Sequence, residues 1–152
     1  MGQTPVLTRL PDDVVARLQQ AQLHLVATVD DDGFPSTTLM SWLVALSPTR
    51  LALCVDTRSR TFHNLTRRPA IALELLGDGI TWGVKGRARV SAERMASPPF
   101  PCARVEVDVT QARDHSSPST VFRGPRYDYA LDKQHRRGLE ERILEELREG
   151  GP

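Results

Sequence analysis

The chain has 152 residues, enough for one domain with a real core, and its 20 Lys and Arg nearly balance 19 Asp and Glu. A formal net charge of +1 argues against nucleic acid or an anionic membrane as the main partner. No run of 18 apolar residues is present, so no membrane span is expected. The N-terminal MGQTPVLTRLPDD has no leader-like pattern, and a cytoplasmic, reduced setting is expected.

Pro11 to Ala21 carries Val14, Val15 and Leu18 on one helical stripe, with Asp12 and Asp13 suited to the first turn. Leu23 to Val29 alternates as a strand, and Asp31-Asp32-Gly33 is a hairpin signal. Pro35 then admits a second strand, Ser36 to Leu46, and Ser47-Pro48-Thr49-Arg50 turns the chain again.

The stretch Leu51 to Arg68 organises the rest. It begins as a buried strand, Leu51 to Val55, in which Cys54 reads as a small hydrophobe, and breaks at Asp56-Thr57. A helix of about three turns follows, with Ser59 or Thr57 as N-cap and Phe62 and Leu65 on its packing face, and Pro69 ends it. Arg58, Ser59, Arg60 and Thr61 place two guanidiniums and two hydroxyls beside free backbone N–H groups at the positive end of that helix. This is the chemistry of a phosphate site, and equally of a capped surface helix with solvated arginines.

Ala70 to Leu76 and Ile80 to Ser91 read as further strands joined at Gly77-Asp78-Gly79, with Gly83 and Gly86 marking a bulge or a close backbone approach. Ser97 to Pro101 is a stiff loop. Arg104 to Thr110 alternates Val105, Val107 and Val109 with Arg104, Glu106, Asp108 and Thr110, the pattern of a half-exposed antiparallel strand. Gln111 to Tyr129 reads as loop. The last segment is a helix with Leu139, Ile143 and Leu147 on its stripe, Leu144 at the edge, its Glu and Arg rows facing water, and Gly150 as its stop.

The expected architecture is mainly β: a single domain, 1–152, with a six-stranded antiparallel barrel over about 22–110, closed or partly closed, short flanking helices, and a C-terminal loop and helix over 111–152. The βα rhythm of a parallel sheet is missing. Motifs for a Walker loop, a GxGxxG turn, a GxSxG nucleophile or an HExxH zinc site are also missing, and Cys54 and Cys102 have no ligand spacing, so no metal is expected. His24, His63, His115 and His135 show no fixed acid–base partner, and catalytic residues stay unassigned. Trp42 and Trp82 suit core or cleft wall. A phosphate site on a barrel without acid–base machinery points to a cofactor that does its own chemistry, such as a flavin.

The order of these pieces resembles the pyridoxamine 5'-phosphate oxidase-like family, the FMN-binding split barrels, from about Val14 to Val90. The likeness rests on Gly33-Phe34-Pro35, on the strand Ser36 to Leu46, and on Cys54-Val55-Asp56-Thr57-Arg58-Ser59-Arg60-Thr61. It continues through Asn64-Leu65-Thr66-Arg67-Arg68-Pro69 and Val84-Lys85-Gly86-Arg87-Ala88.

The resemblance implies that Ser59, Arg60 and Thr61 hold the FMN phosphate. Thr61 stands where the family has lysine, and Arg58 is the candidate replacement. It also implies that Thr38, Leu39, Met40 and Ser41, with Trp42 close by, line the ring. Cys54 and Val55 would touch the cofactor, and Thr81 or Trp82 would reach it from the partner subunit of a homodimer. No arginine- and histidine-bearing ending of the true pyridoxine phosphate oxidases is found, so vitamin B6 oxidation is not expected. The substrate side would then come from Gln111 to Tyr129, where Arg123, Arg126, Tyr127 and Tyr129 cluster, unless this is simply a surface loop. The expected function is electron or hydride transfer through FMN to a small molecule. The alternatives are an F420-dependent reductase and a non-enzymatic flavin- or haem-binding module.

Overall fold

The computed structural model describes residues 4–150. Residues 1–3 and 151–152 lie outside the described residues, and with them the two ends of the expected single domain and the start of the stretch read as lacking a leader. In chain order the elements are α1 (Asp12–Arg17), β1 (His24–Val29), β2 (Pro35–Met40), β3 (Leu43–Ser47), β4 (Arg50–Asp56), α2 (Arg60–Arg67), β5 (Ala70–Gly77), β6 (Ile80–Ala92), β7 (Cys102–Asp114), a short 3₁₀ turn (Leu131–Lys133) and α3 (Arg136–Glu149). The first helix is shorter than the stripe suggested, ending at Arg17.

All strands join one antiparallel sheet in the order β2-β1-β5-β6-β7-β4-β3. Its two edge strands, β2 and β3, are consecutive in sequence and separated only by Ser41 and Trp42. The sheet therefore curls until its ends meet, but no ladder among the described residues joins them. Among the described residues the strands thus number seven rather than six. The expected strand Ser36 to Leu46 is cut in two at Ser41-Trp42 because its halves pair with different strands, Met40 with His24 of β1 and Leu43 with Leu53 of β4; the Trp42 ring stacks on Phe100, centroids 5.8 Å apart.

The hairpin between β1 and β2 turns where expected. Gly33 takes φ +88°, a conformation that only glycine adopts without strain, and Gly33 N–H donates to Asp30 O at 2.9 Å. At the other edge, α1 shields β3: Ala45 N–H donates to Leu18 O, and Gln19 Nε2 to Ala45 O at 2.6 Å.

Two cores follow from the alternation. Val26, Leu51, Leu53, Val55, Leu73, Leu75, Val84, Val105 and Val107 fill the inside of the curled sheet. On the outside of β3, β4 and β7, the small residues Ala52, Cys54 and Cys102 let α3 approach and bury Leu139, Ile143, Leu144 and Leu147. Strand β4 is buried on both faces for this reason, which explains its unbroken apolar run.

The same helix alters two expectations. Arg104 and Glu106, read as a solvent-facing row, are buried. Arg104 Nε donates to Glu106 at 3.3 Å and its Nη1 donates to the Glu146 and Leu147 carbonyls that close α3. Gln111 to Asp114, read as loop, continue β7, and of the expected loop only 115–129 lack helix or strand.

Candidate functional site

Helix α2 starts as its sequence requires. Ser59 is the N-cap: its Oγ accepts the Phe62 N–H at 3.1 Å and donates to Asp56 O at 2.7 Å. The backbone N–H groups of Arg60 and Thr61 find no acceptor among the described residues, as expected for a helix start. The Arg60 side chain is exposed there without an ion pair among the described residues.

Arg58 is placed differently. It makes two side-chain bonds to Asp56, at 3.0 and 2.9 Å, and lies 5.6 Å from the Phe100 ring centroid. The paired guanidinium holds the Asp56 carboxyl below its usual range. Thr61 is buried, unlike the exposed Arg60 beside it. The donor set at this helix start fits a phosphate: one guanidinium without an ion pair and two unbonded N–H groups among the described residues, at the positive helix end.

The next layer joins this head to the end of β2. Phe100 lies between Arg58 and Trp42, and Thr57 N–H donates to Pro101 O at 3.0 Å, which seats the loop on the helix head. Trp42 O accepts the Cys54 N–H at 3.0 Å. Met40 to Trp42, the end of β4, the head of α2 and Phe100 thus form one contiguous surface.

Within β2, Leu39 is exposed opposite Leu25, while Thr38 and Met40 alternate to the other face opposite Val26 and His24. Cys54 lies under α3 and Val55 inside the curled sheet, both enclosed, so neither side chain is open to a ligand. Thr81 and Trp82 are not brought to this surface. They sit at the start of β6, whereas α2 lies by Ala88, whose N–H donates to Pro69 O. Six extended residues separate Thr81 from Arg87, about 20 Å.

Glu140 was legible only as part of a solvated row, yet it is 7% exposed. It accepts from Ser41 Oγ at 3.2 Å, from Trp42 Nε1 at 3.2 Å, and from the hydroxyls of Tyr127 and Tyr129, each 2.8 Å from its Oε2. Burial first, and then the neighbouring carboxylate, push both phenols upward, that of Tyr129 to about 12, so both stay donors. Tyr127 and Tyr129 therefore point at α3. The signal that marks Glu140 is its spacing, one helical turn before Leu144 and two before Leu147 on the packed side.

Each histidine except His135 has a partner. His24 is buried and accepts the Leu76 N–H, His63 meets Asp31 at 2.8 Å, and His115 meets Glu74 at 2.8 Å. Among the described residues no group of three or more His, Cys, Asp or Glu converges as a metal site, and no helix is long and apolar enough to cross a membrane.

Comparison with known proteins gives the same frame. The family model described as pyridoxamine 5'-phosphate oxidase matches residues 10–123. No match was found among curated proteins. Among solved structures, a candidate pyridoxamine 5'-phosphate oxidase of Lactobacillus delbrueckii is similar at 21% identity and TM-score 0.57, covering 70% of this chain and 94% of its own. A conserved hypothetical protein of Mycobacterium tuberculosis is similar at 16% identity and TM-score 0.55, covering 85% and 98%. A protein described as an F420 reductase is similar at 17% identity and TM-score 0.54, covering 67% and 95%. Identities this low speak for the fold alone.

Proposed function

The chain belongs to the pyridoxamine 5'-phosphate oxidase-like family, and from that we propose that it is a homodimeric flavin-dependent oxidoreductase, with FMN as its cofactor. The observation that carries the reading is the head of α2, where the Arg60 guanidinium and the free N–H groups of Arg60 and Thr61 converge beside the Ser59 cap. These groups bind the FMN phosphate. Arg58, engaged with Asp56, stiffens the turn and leaves Arg60 as the principal cation.

When bound, the isoalloxazine supplies the two-electron chemistry, so the chain's own groups bind, orient and exclude water. Thr38, Leu39, Met40 and Ser41 line the ring with Trp42, and the main chain at Cys54 and Val55 borders it. Thr81 and Trp82, remote from α2 in one chain, serve the site of the second copy.

The outer face of the sheet supports this pairing. Leu25 and Leu39 face each other across β1 and β2 and are 37% and 58% exposed, with Phe34 at 70% on the adjoining turn. Beside them an open cleft of about 350 Å³ is bounded by Ala27, Val29, Ala70, Ala72, Lys85 and Arg87. A self-complementary dimer would cover this face.

F420 is the second reading, favoured by the similarity in fold to a protein described as an F420 reductase. The test is an absorbance spectrum of freshly purified protein followed by titrations with FMN and with F420. Saturable binding of FMN is expected. Tight binding of F420 alone would replace FMN in the reading, and binding of neither would overturn it.

A further inference from the structure

Glu140 presents an unusual balance of forces. A carboxylate this enclosed needs compensation, yet among the described residues no cation hydrogen-bonds to it; four neutral donors converge on it. The nearby Arg137 is engaged with Asp128. An apolar side chain would fill the same seam between α3 and the sheet at lower cost, as Leu139 and Ile143 already do on either side. What the carboxylate adds is direction: each donor fixes one side chain in one orientation.

The donors come from two places. Tyr127 and Tyr129 belong to the segment between β7 and α3. Ser41 and Trp42 are the two residues that link the edge strands β2 and β3. The family model ends at residue 123, so Glu140 and both tyrosines lie outside it, while Ser41 and Trp42 lie within it. The link itself has little ladder bonding of its own, and Trp42 is otherwise held by stacking on Phe100 and by its carbonyl on Cys54.

We propose that Glu140 is a positioning residue of the flavin site: by holding Ser41 and Trp42 it sets the end of the ring-side strand, and it makes the C-terminal segment a working part of that site. The inference rests on the flavin reading for its consequence. The contact itself, Glu140 to Ser41 and Trp42, stands on geometry alone. The force is passed on from Trp42 through Phe100 to Arg58 at the head of α2, so a loosened Trp42 would disturb both the ring side and the phosphate side.

The test is a double-mutant cycle on FMN affinity with Glu140→Gln, which keeps the volume, and Trp42→Phe, which keeps the stack on Phe100 but removes the indole donor. Each single variant is expected to weaken FMN about tenfold, and the double variant to be no weaker than the worse single. A merely structural seam would give additive losses or unchanged affinity, and either result would overturn the proposal. A second measurement needs no flavin. The chain has two tryptophans, so in a Trp82→Phe background the emission reports Trp42 alone. Glu140→Gln is expected to shift it to the red, and an unchanged emission overturns the positioning role. If the unaltered chain bound neither FMN nor F420, the flavin reading would fall, while the emission would still decide whether Glu140 sets Trp42.

Discussion

The imidazole of His24 accepts the backbone N–H of Leu76 on its Nδ1 at 3.1 Å, in a site closed to water. The proton of the neutral ring must then sit on Nε2, which has no partner among the described residues. Burial lowers the His24 pKa to about 4. Between about pH 6.5 and 4 the unfolded chain takes up a proton that the folded chain refuses, so stability falls as pH falls through that window. The contribution lost is on the order of 3 kcal/mol. His24→Gln should remove it: urea unfolding at pH 7 and pH 5 should show a smaller pH-dependent loss in the variant than in the parent. Equal losses would contradict the buried neutral imidazole.

Two glycines of β6 should differ in their tolerance. At Gly86 an added Cβ would meet the Asp108 carbonyl oxygen at 2.4 Å, beside the bulge between Lys85 and Gly86. At Gly83 it would meet the His115 ring, 2.1 Å from Cε1, but that side chain is exposed and can swing away at the cost of its bond to Glu74. Gly86→Ala should cost about 3 kcal/mol, the upper end for overpacking, and Gly83→Ala under about 1. Thermal melts of the two variants decide it, and a reversed order would refute the packing argument.

Arg104 ties α3 to the sheet through the Glu146 and Leu147 carbonyls, and its Nε meets the buried Glu106. Burial opposes the Glu106 charge, but Ser91, Arg104 and Arg89 together hold its carboxyl below the usual range. Arg104→Ala strands part of that charge and uncaps the helix, so it should destabilise by about 3 kcal/mol. Urea denaturation would show this, whereas a loss below about 0.5 kcal/mol would place Arg104 among ordinary surface ion pairs.

The two arginines at the head of α2 should separate on FMN titration. Arg60→Ala removes the free guanidinium and should weaken FMN at least tenfold, since a charge-assisted bond is worth about 1.5–3 kcal/mol. Arg58→Ala removes a group already engaged by Asp56 and should cost less. A larger loss from Arg58 would reverse the assignment.

Much of the fold was legible because its determinants are local. The Gly33 hairpin, the Ser59 cap, the Pro69 stop and the alternation of β1 each sit within a few residues. The break at Ser41-Trp42 was not legible, since the run carries no mark of where its pairing passes from β1 to β4. Arg104, Glu106 and Glu140 read as solvated for the same reason: each is covered by an element distant in sequence. At the candidate site, the residue types at the head of α2 were visible, but the engagement of Arg58 with Asp56 required geometry.

Recognition of a phosphate by the head of α2 can be read by titrating the full chain with FMN and with riboflavin, which share the ring and differ in the phosphate. FMN should bind about a hundredfold tighter, as two charge-assisted contacts would give. Equal affinities would contradict it and leave Ser59 and Arg60 as no more than the cap of a surface helix.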